Sequence, residues 1–235
     1  MSLNYTVRES HRAKHVSLKI SITGELEVIV PKGFNPKNIP EILQKKRLWI
    51  DRVTRRMETQ RALVGVDASE EYPDRVILAA ITEDWQIDYR PNQQAGIRAI
   101  EQSRFRLRLQ GSTQDAEICK IALRQWVVHK ARLHLLPWLR HLSQECQLPY
   151  KQATIRQQKT LWGSCSARKT ISLNCKLLFL PDTLVRYVLL HELCHTIHLN
   201  HSSEFWALVE RYEPNYADLD ASLRDARYLV PPWME

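Results

Sequence analysis

The chain has 235 residues, 44% of them hydrophobic and 26% charged, which suits one large or two small folded domains and excludes a disordered chain. No apolar run approaches the roughly eighteen residues of a membrane span, and the start, MSLNYTVRESHRAK, lacks the apolar stretch of a secretory signal, so neither membrane insertion nor export is expected. The formal net charge of +8 is uneven: residues 1 to 62 carry 13 Lys or Arg against 6 Asp or Glu, while the remainder carries 21 against 20. A basic segment of this kind is either a solvated face or a weak nucleic-acid anchor without sequence preference.

Taken in chain order, VSLKISITGELEVIVP alternates apolar and polar residues on both sides of Thr23-Gly24 and predicts a β-hairpin. From about residue 37 to 63, Ile39, Ile42, Leu43, Trp49, Ile50 and Val53 recur among many charges, as in an amphipathic helix with a basic outer face; Arg52, Arg55 and Arg56 share one side of it. RVILAAI, WQIDYR, IRAIEQ and FRLRLQ read as four short strands. From Asp115 to about Gln147 the apolar spacing changes to three and four, predicting one long helix or two helices broken near Pro137. ATIRQQ and ISLNCKLLFL read as strands on either side of a loop holding Trp162, Gly163, Ser164 and Cys165. Pro181-Asp182 then opens a helix that leads into a run of histidines. The pattern is α+β, divided near residue 112 into a basic, β-rich part (1–112) and a second part (113–235).

That run is HELCHTIHLNH, residues 191 to 201. His191 and His195, four apart on a helix, share a face and can bind one Zn2+, and Glu192 beside them can act as general base on a metal-bound water. In an unbroken helix His201 would lie about 15 Å along the axis from His191, so the chain must turn for it to join them. Asn200, tolerant of the left-handed conformation, is the expected turning point, and Phe205, Trp206 and Val209 can pin the bend. His198 is about 10.5 Å along the axis from His191 and fits a role outside the ligand set. Glu204, Glu210 and Glu213 are alternative third ligands. Cys194 reads as a buried apolar residue, and Cys165 as part of a tight turn rather than a catalytic thiol. Five cysteines, odd in number and without a C-x-x-C pair, point to free thiols and a cytoplasmic location. Arg186 and Tyr216 are weak choices for stabilising an oxyanion.

Residues 159 to 216, from KTLWGSCS through the LN-containing strand, YVLLHELCH and NHSSEFW to EPNY, resemble the core signature of the YgjP-like metallopeptidase family, itself similar to the SprT-like and WLM proteases. ESHRAKHVSLKI, VIVP and the stretch from Trp126 to Ala131 also fit it. The resemblance implies a small zincin core over 113–235, His191, His195 and His201 as ligands of one Zn2+ per chain, Glu192 as catalytic base, and a peptide or protein substrate extended along an edge strand, either 170–177 or 153–158. No membrane partner is implied. One departure stands out: Leu161 occupies the place before the tryptophan where the family usually has arginine.

Overall fold

The computed structural model describes residues 4–11, 13–20, 26–48, 50–51, 54–55, 72–93 and 95–234. The chain divides into two compact units, Met1–Ala68 and Ser69–Glu235. The boundary expected near residue 112 differs from this division by a whole sheet. The strands over 75–111 group with the site-bearing part because a long helix packs on them, a relation between distant segments that no composition change announces.

In the first unit, strands β1 (Tyr5–Ser10), β2 (Ser17–Ile20) and β3 (Leu26–Pro31) form a sheet in the order β1-β3-β2. β2 and β3 are the expected antiparallel hairpin, with Leu18 opposite Val28; its turn at Thr23-Gly24 lies outside the described residues. Leu26, Val28 and Val30 are buried and alternate with partly exposed neighbours, as the period of two requires. β1 pairs with β3 in parallel and is exposed along most of its length, so the ladder rather than burial holds it. That is why its sequence gives no strand signal. Helix α1 (Ile39–Lys45) buries Ile39 and Leu43, and helical backbone resumes at 47–48, 50–51 and 54–55. Two cations of the basic helix are paired locally, Lys45 with Glu41 at 2.8 Å and Arg47 with Asp51 at 4.0 Å; Arg52, Arg56 and Arg61 lie outside the described residues.

In the second unit the four expected strands are present: β4 (Arg75–Leu78), β5 (Glu83–Pro91), β6 (Ile97–Gln102) and β7 (Arg106–Gly111), in the order β4-β5-β7-β6. Helix α2 (Ala116–Glu145) starts at Asp115, whose carboxylate accepts from the Glu117 and Ile118 N–H groups at 2.9 and 3.2 Å. It buries a stripe that includes Leu123, Val127, Leu135 and Leu139. Of the two readings at Pro137, one continuous helix is observed. The hydrogen bond proline cannot make is the one Leu133 would accept, and Leu133 is 55% exposed, so water can replace it.

A second sheet, β8 (Gln152–Arg156), β9 (Gly163–Cys165) and β10 (Thr170–Asn174), has the order β8-β10-β9, which places β10 in the centre. The strand expected over ISLNCKLLFL is only half strand. At Asn174 the side chain accepts from the Lys176 N–H at 3.1 Å and starts a buried 3-10 turn, Cys175–Phe179. Helices α3 (Asp182–Cys194), α4 (Ser203–Tyr212) and α5 (Tyr216–Asp225) follow, completing an α+β fold. No described helix is long and apolar enough to cross a membrane.

One polar pair joins α2 to the first sheet of this unit. The buried Lys130 ammonium lies 2.8 Å from Glu83 Oε2 and 4.9 Å over the Trp85 ring, and Trp85 Nε1–H donates to the same oxygen at 2.7 Å. Removing one partner leaves a buried charge uncompensated, so Glu83→Ala is expected to cost about 3–5 kcal/mol in urea unfolding. Replacing both, with Glu83→Leu and Lys130→Met, is expected to restore most of that loss; equal losses in the single and double variants would contradict it.

Candidate metal centre

The helix that carries the first two histidines is buried nearly all round: Leu184, Val185, Tyr187, Val188, Leu189, Leu190, Leu193 and Cys194 are core residues. A helix held this firmly fixes the direction of each polar side chain it bears. His191, Glu192 and His195 therefore project from a rigid element, His191 and His195 with ring centroids 4.8 Å apart.

The chain turns away immediately after His195. The Thr196 hydroxyl donates to the Leu193 carbonyl at 2.7 Å, and the N–H groups of Ile197 and His198 bond the Cys194 carbonyl at 3.0 and 3.1 Å. The chain leaves the helix through a turn at 195–197 and bends again at Leu199-Asn200, the expected turning point, but without the left-handed conformation, since Asn200 has no positive φ. His201 then returns to the first pair. Its Nε2 lies 3.1 Å from His191 Nε2, and its ring centroid 4.7 Å from that of His195.

The ligand atoms of His191, His195 and His201 all lie within 4.8 Å of one another. Among the described residues, no other group of three or more His, Cys, Asp or Glu side chains comes together this way. Glu204, Glu210 and Glu213 stay out of the cluster; Glu213 is taken up by Arg186 at 2.7 Å. His198 contributes its backbone. Its carbonyl accepts from His195 Nδ1 at 2.9 Å, which fixes the proton on Nδ1 and leaves the Nε2 lone pair free.

Helix α4 forms the other wall. Phe205 stacks on His195 with centroids 4.4 Å apart, Trp206 stacks on His201 at 5.6 Å, and Tyr216 of α5 stacks on Trp206 at 5.3 Å. Of the two choices for oxyanion stabilisation, Arg186 is engaged by Glu213, and Tyr216 has its ring in this stack.

Glu192 is 5% exposed, and its Oε2 has no hydrogen-bond partner among the described residues. Burial pushes its carboxyl up to about 8. The side chain rests against Gly163 of β9, where a Cβ would lie 2.6 Å from Glu192 Oε1 and 2.7 Å from Cγ. That contact explains the glycine of the WGSC run. Asn174 is a second residue whose role spacing does not reveal: its Nδ2 donates to the carbonyls of Gln158 and Leu161 at 2.9 and 2.7 Å, holding the strand that enters β9. The LN pair was its one signal. Leu161, standing where the family usually has arginine, is 52% exposed.

The thiols behave as the sequence suggests. All five are free. Burial pushes Cys175 up to about 11 and Cys194 up to about 12; burial, with the Glu192 carboxylate, pushes Cys165 up to about 11. Cys165 is held as a thiol, which disfavours nucleophilic use.

The donor set fits a tetrahedral metal ion. Two nitrogens each about 2.0–2.1 Å from zinc lie about 3.3 Å apart, close to the observed 3.1 Å between His191 and His201 Nε2. Three converging imidazoles and a buried carboxyl group with a spare oxygen are the groups such a site needs. A family model described as "YgjP-like, metallopeptidase domain" matches residues 14–226. The chain belongs to that family, and the metal-binding reading agrees with the histidine cluster. No curated relative matches the chain.

Burial, followed by the neighbouring His195 and His201, pulls His191 down to about 4 from the usual 6.5. A lowered imidazole pKa favours the neutral form, so its contribution to stability is full above about 6.5 and is lost as pH falls toward 4. In metal-free protein the His191 ring is expected to stay neutral at pH 5.5 by NMR titration. Protonation near 6.5 would contradict this environment.

Proposed function

We propose that this YgjP-like chain is a zinc-dependent peptidase in which His191, His195 and His201 hold one Zn2+ and Glu192 is the general base. The observation that carries the reading is a carboxyl group stripped of water, with one oxygen unpartnered, on the same rigid helix as two of three converging imidazoles. Zinc bound there would supply Lewis acidity toward a water and a peptide carbonyl. Glu192 takes the proton of the attacking water and returns it to the departing amine nitrogen. A carboxyl raised toward neutrality suits both transfers at neutral pH. The His198 carbonyl orients His195, and the stacked rings of Phe205 and Trp206 hold the planes of His195 and His201.

The position of β10 bears on where a substrate lies. As the central strand it is covered on both sides, so of the two expected substrate strands 170–177 is excluded, and β8 lies on the far side of β10 from β9. The open edge beside Glu192 is β9. Ser166 N–H bonds Thr170 O at 3.0 Å and Asn174 N–H bonds Trp162 O at 2.8 Å. Antiparallel alternation therefore turns the Ser164 backbone toward β10 and leaves Gly163 and Cys165 facing outward. An extended peptide adding to that edge would run past Glu192.

Glu192→Gln is expected to keep its zinc by elemental analysis and to lose peptide hydrolysis by about a thousandfold or more. Comparable turnover in wild type and variant would sink the catalytic assignment. His191→Ala, His195→Ala and His201→Ala are each expected to lose zinc, whereas His198→Ala, which keeps its carbonyl, should retain it.

Gly163→Ala separates the base from the metal by another route. The added methyl group must displace the Glu192 side chain, and a shift of about 1 Å in a reacting group costs on the order of a hundredfold in kcat. Zinc content should be unchanged; full activity in this variant would show that the Gly163 contact does not position Glu192.

A further inference from the structure

Residues 146–181 contain no Asp or Glu, yet they carry Lys151, Arg156, Lys159, Arg168, Lys169 and Lys176. This acid-free stretch builds the entire β8-β10-β9 sheet, including the edge beside Glu192. Lys176 is buried in the 3-10 turn, and the other five are exposed. Among the described residues none of those five has an ion-pair partner. Elsewhere in the same unit some cations are neutralised locally, Arg75 by Asp84 at 2.6 Å, Arg90 by Asp88 at 3.0 Å, Lys120 by Glu117 at 2.9 Å and Arg224 by Asp220 at 3.0 Å, and others, such as Arg98, Arg132 and Arg140, are exposed without an ion pair among the described residues. What distinguishes the sheet next to the metal centre is that its stretch of chain carries no carboxylate side chain to answer its cations.

Its charges bracket the open edge. Arg168 and Lys169 sit in the turn that leaves β9, closed by the Lys169 N–H on Ser166 O at 2.8 Å. Lys159 sits in the loop that enters β9 from the other end. A strand laid on Gly163–Cys165 therefore has Arg168 and Lys169 in the turn beyond one end of β9 and Lys159 in the loop beyond the other, positive charge on either side of the Glu192 position.

We propose that the β9 edge selects an acidic polypeptide segment, with Lys159 on one side and Arg168 and Lys169 on the other recognising Asp or Glu residues that flank the bond to be cut. The assignment rests on β9 being the substrate edge, as in the reading above. A polypeptide fits better than a nucleic acid because the edge offers backbone N–H and C=O groups at strand spacing. Of the aromatic residues of this stretch, Phe179 is buried and Tyr150 and Trp162 are partly buried, a poor platform for the stacking on which single-stranded nucleic acids depend.

The test uses zinc-loaded, full-length Glu192→Gln protein and three fluorescent peptides with one common apolar centre, flanked by Glu, Ser or Lys, with affinities read by anisotropy across a salt series. The Glu-flanked peptide is expected to bind about tenfold tighter than the Ser-flanked one at low salt, with the gap closing as salt rises. Adding Lys159→Glu, Arg168→Glu and Lys169→Glu should invert the order in favour of the Lys-flanked peptide; should that variant fail to fold, the three Gln substitutions should abolish the preference. Equal affinities, or a Glu preference that survives these changes, would overturn the proposal. So would displacement of the Glu-flanked peptide by single-stranded DNA binding more tightly than the peptide does, which would reassign the patch to nucleic acid. Hydrolysis by the wild-type chain separates the two readings. A charge preference in binding with no cleavage of any peptide removes the peptidase reading and leaves the β9 edge as a binding site for acidic segments, and cleavage of all three at equal kcat/KM does the reverse.

Discussion

The second unit is organised around the contact between Glu192 and the α-carbon of Gly163. Burying a carboxyl group away from water with one oxygen unpartnered is costly, and a rigid surround is needed to hold it in place. The apolar body of α3 supplies the rigidity, since a helix buried on nearly every side cannot rotate to carry Glu192 back to solvent. Gly163 supplies the room, and Asn174 fixes the approach of β9 through the carbonyls of Gln158 and Leu161. A small sheet, a loop and a helix thus meet at one atom pair.

The histidine triad is built on the same frame by a different means. Two of its rings come from α3, while the third arrives on the connection to α4 and is held by stacking: His201 on Trp206, Trp206 on Tyr216, and His195 on Phe205. Aromatic faces restrict an imbalance inherent in the site, where His201 is exposed and His195 buried. α4 and α5 thereby fix ring orientations that backbone geometry alone would leave open.

Much of this was legible in the residues. The spacing of HELCH places two rings on one helical face whatever surrounds it, and alternating apolar residues gave the hairpin and the four strands of the larger sheet. What escaped depends on partners far away in sequence. β1 is exposed and exists through its ladder with β3. Nothing in ISLNCKLLFL marks Asn174 as the end of the strand, because its side chain switches the backbone by a local hydrogen bond that competes with an apolar run favouring extension. A change of direction at Asn200 is legible and present, but not by the left-handed conformation that asparagine tolerates: the Thr196 hydroxyl and the His198 main chain start the turn at the helix end, and the bend at Leu199-Asn200 continues it. The reason for Gly163 is a contact with a side chain 29 positions on, which only the folded structure brings beside it.

The buried thiols carry a separate consequence. Cys175 and Cys194 are pushed so far above their usual range that less than about one in a thousand is thiolate at neutral pH, and only the thiolate reacts with alkylating or disulfide reagents. Both residues flank or lie on α3, one in the turn before it and one in its last position. Their modification must therefore wait for that core to open, and its rate measures how often the helix bearing the histidines breathes: a chemical clock for local unfolding written into the chain itself.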